Sequence, residues 1–199
     1  MSRLRVEDVG TSHLQVLSLE VENGECIGIS GPSGMGKSLF LRAIADLDPH
    51  QGRIWLDEQE QSTVPATEWR SRVGLLVAES AWWAETVDEH FTSIDSAELQ
   101  KLALNRECLD WSVERLSSGE KQRLALLRLL AMHPEALLLD EPTANLDADS
   151  VKKVESLIGD YRQKNKASVI WVSHDLEQIK RVTSRHYRLD KDGLREVTV

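Results

Sequence analysis

The clearest chemical pattern in the chain is the run Gly31-Pro32-Ser33-Gly34-Met35-Gly36-Lys37-Ser38. It matches G-x-x-x-x-G-K-[ST], in which glycines allow successive backbone N–H groups to surround phosphate oxygens. Lys37 is then expected to reach the β- and γ-phosphates, and the Ser38 hydroxyl to ligate Mg²⁺. An incidental lysine in a glycine-rich turn would look similar, but an apolar run before the loop and a helical pattern after it favour the phosphate site. The sequence therefore predicts that a nucleoside triphosphate binds here.

Two adjacent carboxylates, Asp140 and Glu141, follow the apolar run 137–139. Ligands of open α/β sheets bind at the carboxyl ends of the strands, where these side chains would lie. Asp140 is suited to holding Mg²⁺, and Glu141 to polarising an attacking water. Acidic residues followed by proline also simply end strands. The phosphate loop upstream makes the catalytic interpretation the stronger one.

A third pattern, Leu116-Ser117-Ser118-Gly119-Glu120, leads into the apolar run 124–132. Ser117 and Glu120 fit a capping box, which alone predicts only a well-formed helix start. A helix N-terminus rich in serine and glycine can also bind an anion. The residues by themselves leave both interpretations open.

The elements that must position these residues alternate along the chain. Apolar runs at 25–30, 53–57, 73–77, 136–139 and 168–172 predict strands, with a pair of strands at the end. Longer patterns predict helices at 38–47, 148–164 and 175–182. A helix-rich stretch is predicted from about 86 to 132. Strands that alternate with helices indicate an α/β fold with a mostly parallel sheet, into which the helical stretch is inserted.

Composition excludes several classes of protein. The chain has 199 residues and a net charge of −9, which argues against a strongly basic nucleic-acid-binding module. Its longest apolar runs are much shorter than the ~18 residues of a membrane span. The N-terminus lacks the apolar core of a signal peptide, and Cys26 and Cys108 fit no metal or redox spacing. We expect a soluble protein of a reducing compartment.

In their order, these patterns resemble those of an ABC-type ATPase. The motifs are the phosphate loop, Leu-Ser-Ser-Gly-Glu, Leu139-Asp140-Glu141-Pro142-Thr143, Asn145-Leu146-Asp147 and Val172-Ser173-His174-Asp175. The resemblance covers essentially the whole chain and implies a P-loop NTPase core with N-terminal antiparallel strands and a small inserted helical lobe. It implies one domain over 1–199, with a nucleotide-binding core at 1–78 and 133–199 and the helical lobe at 79–132.

The resemblance also implies a function. ATP and Mg²⁺ would be the cofactors, and ATP hydrolysis would energise transport through separate transmembrane permease subunits. The chain would sit peripherally on the cytoplasmic face of the membrane, and no nucleic acid is expected as a partner. A narrower similarity, to the small ATPases of metal-export systems, rests on the short length and the stretch 170–175.

Roles of individual residues follow from the same resemblance. Lys37, Glu141 and His174 would act in catalysis, and Ser38 and Asp140 would bind Mg²⁺. Residues 31–38 of one copy would bind a nucleotide together with Ser117, Ser118, Gly119 and Glu120 of a second copy, in a head-to-tail dimer. Asp147 resembles the aspartate that communicates across that dimer.

Three positions depart from the family pattern. Ala78 stands where a glutamine is usual, only Thr11 or His13 is available where an aromatic ring stacks on adenine, and Ser118 replaces a glycine. The first two favour an alternative function, a degenerate regulatory subunit that binds nucleotide with little turnover. Another alternative, an ABC ATPase acting on DNA, would need a coiled coil or a basic surface, and the sequence has neither.

Trp82 and Trp83 follow the altered position 78 closely. Tryptophans are most often partly buried core residues. In the family, this region receives a helix of the membrane subunit, so adjacent aromatic rings would also suit an interface. The sequence leaves the two interpretations open.

Overall fold

The N-terminal part of the chain forms an antiparallel sheet in this computed structural model, which describes residues 3–94 and 96–198. Its strands are β1 (Leu4–Thr11), β2 (Leu14–Val21), β4 (Gln51–Leu56) and β5 (Gln59–Glu60). They pair in the order β2-β1-β4-β5, and every pairing is antiparallel. The predicted N-terminal antiparallel strands are thereby confirmed.

A second, six-stranded sheet carries the chemistry. Its strands are β3 (Cys26–Ser30), β6 (Val73–Leu76), β7 (Ala136–Asp140), β8 (Ser168–Val172), β9 (Arg185–Asp190) and β10 (Gly193–Val197). The order is β10-β9-β3-β8-β7-β6. All neighbours are parallel except β10, which runs antiparallel to β9. The mostly parallel sheet predicted from the alternating pattern is confirmed.

Six α-helices connect these strands in the described ranges. They are α1 (Lys37–Ile44), α2 (Ala66–Arg72), α3 (Ser96–Lys101), α4 (Ser118–Leu130), α5 (Ala148–Asn165) and α6 (Leu176–Val182). In its described residues, the stretch 86–132 that was predicted to be rich in helix contains only α3, α4 and short 3-10 helices. One reason lies just after α3, where Ala103 has a φ of +54° and turns the chain out of the helical path.

The six-stranded sheet separates two hydrophobic cores, because successive side chains of a strand point to opposite faces. On β7, Ala136 and Leu138 join the first core, which includes α1 and the antiparallel sheet. Leu137 and Leu139 join the second core, which contains apolar residues of α4, α5 and the stretch 87–116. The strand must therefore be apolar from Ala136 to Leu139, as its sequence is.

The topology brings the candidate residues to one edge. Strands β3, β8, β7 and β6 are neighbours and run parallel. Their carboxyl ends lead into the phosphate loop, His174, Glu141 and Ala78, in that order across the sheet. No helix within the described ranges has the length and hydropathy needed to cross a bilayer.

Candidate functional site

The phosphate loop depends on glycines with left-handed backbone angles. Gly31 follows β3 with a φ of +144°, and a Cβ there would collide with the carbonyl oxygen of Leu189. Gly36 is the N-cap of α1 with a φ of +92°, and a Cβ there would lie 2.7 Å from Leu14 Cδ1. Both positions therefore require glycine for steric reasons. The loop passes directly from a buried strand into a helix N-terminus, as the sequence predicts.

A cleft of about 330 Å³ lies between this loop and the neighbouring strand ends. Its lining residues come from all four loops that leave the sheet edge: Ser33, Gly34, Gly36, Lys37, Ser38, Leu39, Ala78, Asp140, Glu141 and His174. The five residues predicted for catalysis or Mg²⁺ binding are all among them. The fold thus assembles one candidate site from segments more than a hundred residues apart.

Lys37 is a nearly buried cation inside this cleft, with 7% of its surface exposed. Its Nζ donates hydrogen bonds to the backbone carbonyls of Gly31, at 2.7 Å, and Pro32, at 3.0 Å. Burial lowers the pKa of Lys37, although the nearby carboxylates of Asp140 and Glu141 favour its charged form. The ammonium is therefore held at the loop by weak carbonyl partners that a phosphate oxygen would outcompete.

Glu141 has the geometry and environment of a general base. Its φ of +50° is strained for a residue with a side chain, and its backbone N–H donates to the carbonyl of Val172 at 3.1 Å. Burial raises the pKa of its carboxyl group, against the opposing charge of His174. His174 Nε2 lies 3.3 Å from Glu141 Oε1, although the alignment is not that of a hydrogen bond. The two groups face the same space.

Asp140 and Ser38 supply oxygen atoms on the same cleft. Asp140 is buried and ends β7, whereas Ser38 is exposed in the first turn of α1. No group of three or more His, Cys, Asp or Glu side chains in the described ranges could hold a metal ion. A sparse set of one carboxylate and one hydroxyl suits Mg²⁺, which usually completes its shell with waters and substrate phosphates.

The segment Ser117–Glu120 lies outside this cleft. Ser117 and Glu120 form the predicted capping box of α4, in which the Ser117 N–H donates to the Glu120 carboxylate at 2.9 Å. Gly119 lies beside the loop that precedes α5, and a Cβ there would be 3.1 Å from Leu146 Cδ2. These residues therefore form a second group, which does not line the cleft of their own chain.

Asp147 belongs to that second group and has a clear role within the chain. It caps α5 by accepting hydrogen bonds from the backbone N–H groups of Asp149 and Ser150, each at 3.0 Å. The hydroxyl of Ser150 donates to the same carboxylate at 2.8 Å. These bonds lower the pKa of Asp147. Its side chain is consequently fixed in the anionic form at the helix start.

The three departures from the family pattern occupy informative places. Ala78 lines the cleft, so an amide at this position would face the bound ligand. The turn that contains His13 lies against the phosphate loop, because Leu14 packs beside Gly36. Ser118 is exposed at the start of α4. Two of the three changes therefore adjoin the cleft itself.

One residue near the site escaped the sequence motifs. Gln178 in α6 is 2% exposed and hydrogen-bonds Thr143, Glu155 and Trp171. The only signal in the sequence is its position three residues after the helix cap Asp175, next to the apolar Ile179. That signal does not distinguish a buried glutamine from an exposed one.

Comparison with known proteins finds relatives over most of the chain. The family model described as ABC transporter matches residues 14–144. Over 192 residues, the chain is 34% identical to "ABC transporter I family member 17" of Arabidopsis thaliana, covering 89% of this chain and 73% of that protein. Over 180 residues, it is 36% identical to a probable sulfate/thiosulfate import ATP-binding protein, CysA, of Chlorella vulgaris. That match covers 83% of this chain and 75% of the other protein.

A solved structure establishes the fold at full length. The chain superposes with a TM-score of 0.81 on a dimeric ATP-binding cassette in a post-hydrolysis state, bound to ADP and Pi. The match covers 98% of this chain and 99% of the other at 22% identity. At that identity, the similarity shows only that the two chains share a fold.

Proposed function

This chain belongs to the ABC transporter family, and we propose from that premise that it hydrolyses ATP to energise transport through separate membrane subunits. One observation carries the proposal: a single cleft brings together Lys37, Asp140, Glu141 and His174. A lysine that can bind phosphate, a carboxylate that can bind Mg²⁺, and a base beside a group that can position water suit phosphoryl transfer to water. The relatives described above are an ABC transporter protein and an import ATP-binding protein.

Hydrolysis would use the residues of the cleft as follows. Lys37 would exchange its carbonyl partners for the β- and γ-phosphates. Glu141 would take a proton from a water molecule while that oxygen forms a bond to the γ-phosphorus, and the bridging oxygen would leave with ADP. The raised pKa of Glu141 makes it a better proton acceptor than an ordinary glutamate. His174 would orient the water and contact the γ-phosphate.

Ser38 and Asp140 would hold Mg²⁺, which neutralises developing charge on the phosphates when bound. Both side chains line the cleft and supply the hard oxygen ligands that this cation prefers. Ala78 contributes no ligand atom, so the protein shell around such an ion is smaller than the family pattern provides.

A second copy of the chain would complete the site. Residues 117–120 and Asp147 lie away from the cleft of their own chain, so another molecule must present them if they contact nucleotide. The N-terminus of α4 offers backbone N–H groups and a positive helix dipole to a phosphate. We infer an ATP-dependent, head-to-tail homodimer with one nucleotide between each cleft and the partner's helix α4.

An exposed aromatic surface supports docking of a membrane subunit. Trp82 packs against the second core, as the core interpretation predicts. Trp83 is 71% exposed and is the candidate for an interface. Arg128 lies 4.7 Å from the ring centroids of both tryptophans. Met132 is also exposed, at the rim of the same groove of about 360 Å³. A partner segment with apolar side chains would bury this surface.

The charge of Arg128 adds to that argument. Its Nη2 donates to the carbonyl of Ala81 at 3.0 Å, but no carboxylate in the described ranges forms an ion pair with it, and its Nη1 is buried without a partner. An acidic side chain on the docking segment would complement this cation. Such docking would hold the chain peripherally on the cytoplasmic face of the membrane.

A second candidate function, a regulatory subunit that binds nucleotide with little turnover, is favoured by Ala78. This residue faces the cleft without the amide that the family pattern places there. The net charge of −9 gives no support to an ATPase that acts on DNA.

Steady-state ATP hydrolysis by the purified chain, with and without Mg²⁺, separates these functions. We expect Mg²⁺-dependent release of phosphate that is lost in Lys37→Ala. Tight ATP binding by calorimetry without turnover would instead establish the regulatory function. If neither binding nor turnover occurs, both functions are wrong for the isolated chain.

A further inference from the structure

Gln178 joins the two turns that carry the catalytic groups. It lies in α6, four residues after His174, and is 2% exposed. Its Nε2 donates to Thr143 Oγ1 and to Glu155 Oε1, each at 2.9 Å. Its Oε1 accepts from Trp171 Nε1 at 3.2 Å and from Thr143 Oγ1 at 3.1 Å. Both ends of the amide are fully used.

The partners of Gln178 come from elements on both sides of the reacting groups. Trp171 is in β8, three residues before His174, and Thr143 is two residues after Glu141. Glu155 is in α5 and is itself held by Arg181, whose Nη2 lies 2.7 Å from Glu155 Oε1. The side chain thus connects the strand and helix around His174 with the turn that holds Glu141.

Backbone contacts also join these two turns, among them the interaction of the His174 N–H with the Glu141 carboxylate and the pairing of Asp140 with Val172 between β7 and β8. The backbone N–H of Glu141 donates to the carbonyl of Val172 at 3.1 Å. The His174 side chain is 54% exposed, so packing restrains it only weakly. Its position is therefore set by its backbone, between β8 and α6, and the amide of Gln178 links both of these elements to Thr143.

An amide is the group that this junction requires. The indole of Trp171 is a donor only, and the carboxylate of Glu155 is an acceptor only. A side chain at 178 must therefore present an acceptor and a donor next to each other. Glutamate would meet Glu155 with a like charge, and leucine would leave Trp171 Nε1 without its partner.

We propose that Gln178 is a positioning residue for ATP hydrolysis, which holds His174 within reach of Glu141. The contact that it maintains is the 3.3 Å separation of His174 Nε2 and Glu141 Oε1. This inference rests on the proposed hydrolytic function and assigns Gln178 no contact with ATP. A shift of about 1 Å in a catalytic group can cost up to about 100-fold in rate.

The test compares Gln178→Leu with Gln61→Leu. Gln61 is a matched control, because it is also a buried glutamine, 7% exposed, and bonds Ala43 and His50 away from the cleft. We expect Gln178→Leu to lower kcat by about 10- to 100-fold with little change in KM for ATP. Gln61→Leu should change neither quantity.

A charge exchange provides a test that does not depend on the leucine variant folding. Gln178→Glu should lower kcat, because it places two carboxylates together at the junction. Adding Glu155→Gln restores one donor opposite one acceptor and should recover most of the lost kcat. A purely structural role predicts that thermal stability is recovered while kcat, measured well below Tm, never differs between the variants.

The outcomes separate this inference from the proposed function. If the wild-type chain does not hydrolyse ATP, the proposed function fails and the role of Gln178 fails with it. If the wild type hydrolyses ATP and the folded Gln178 variants match its kcat, this inference alone is wrong.

Discussion

Replacing Glu141 by glutamine is expected to stop ATP hydrolysis while sparing ATP binding. The Glu141 side chain is 24% exposed and lies 3.3 Å from His174 Nε2, on the same cleft as Lys37. Glutamine keeps the shape and can hydrogen-bond a water, but it accepts a proton far less readily. Loss of a general base typically lowers the rate by about 10²–10⁴, or about 3–5 kcal/mol of activation free energy.

The same substitution should change the pH dependence of activity. Burial raises the pKa of Glu141. Wild-type kcat should therefore rise with pH above the range in which an ordinary glutamate titrates, and the variant should lack that rise.

The substitution should also change the pH dependence of stability. The folded wild type keeps this proton at pH values where the unfolded chain has lost it, so its stability falls as pH rises through the raised folded pKa. Each pKa unit by which the folded and unfolded values differ changes the free energy of unfolding by about 1.4 kcal/mol. At pH values above the folded pKa of Glu141, we expect Glu141→Gln to have a higher Tm than the wild type.

Single-turnover release of phosphate measures the chemical step, and calorimetry measures ATP affinity. Glu79→Gln is the matched control, because Glu79 is exposed and does not line the cleft of the described chain. The control should retain the wild-type rate. Sedimentation with Mg²⁺ and ATP should reveal a longer-lived dimer for Glu141→Gln, since ATP persists and one negative charge is gone. Phosphate release from that variant at the wild-type rate would refute the assignment of Glu141 as base.

Lys37→Ala is expected to weaken ATP binding by at least about tenfold, because it removes a buried charged ligand; equal affinities by calorimetry would contradict the phosphate-loop assignment. Gly36→Ala should lower the free energy of unfolding in urea by about 1–3 kcal/mol, because its φ is +92° and its Cβ would crowd Leu14. Ala78→Gln should alter the Mg²⁺ dependence of hydrolysis more than Tm, and an unchanged Mg²⁺ titration would count against it. Trp83→Ala should lower the amount of membrane subunit that co-purifies, with an unchanged circular dichroism spectrum as the folding control.

Buried strands and well-capped helices could be predicted from the sequence. The strand predicted at 168–172 is observed at Ser168–Val172, and the helix predicted at 148–164 is observed at Ala148–Asn165. In both cases the local pattern and the tertiary burial agree. Helix α2 was missed because Trp69 is its one buried residue, which gives no hydrophobic period. The division into lobes at 78 and 132 stays a prediction, as does the similarity to metal-export ATPases.

The residues of the site likewise divide into those with a local sequence signature and those without one. Lys37, Asp140 and Glu141 were predictable because a phosphate loop and an acidic strand end have local signatures, and the parallel sheet brings both to one edge. The left-handed backbone of Glu141 has no such signature. Gln178 could not be found because two of its three bonding partners, Thr143 and Glu155, are distant in sequence.

The sharing of the six-stranded sheet between two cores limits how far the chain can be treated as a set of modules. Leu137 and Leu139 of β7, with Val169 and Trp171 of β8, are covered in part by apolar residues from the stretch 87–116. Excision of residues 79–132 would expose part of this apolar face to water, and on such a surface molecules would associate non-specifically. The inserted segment and the sheet should accordingly unfold in one cooperative transition, and a chimera that exchanges the segment must exchange the packing face of the sheet with it.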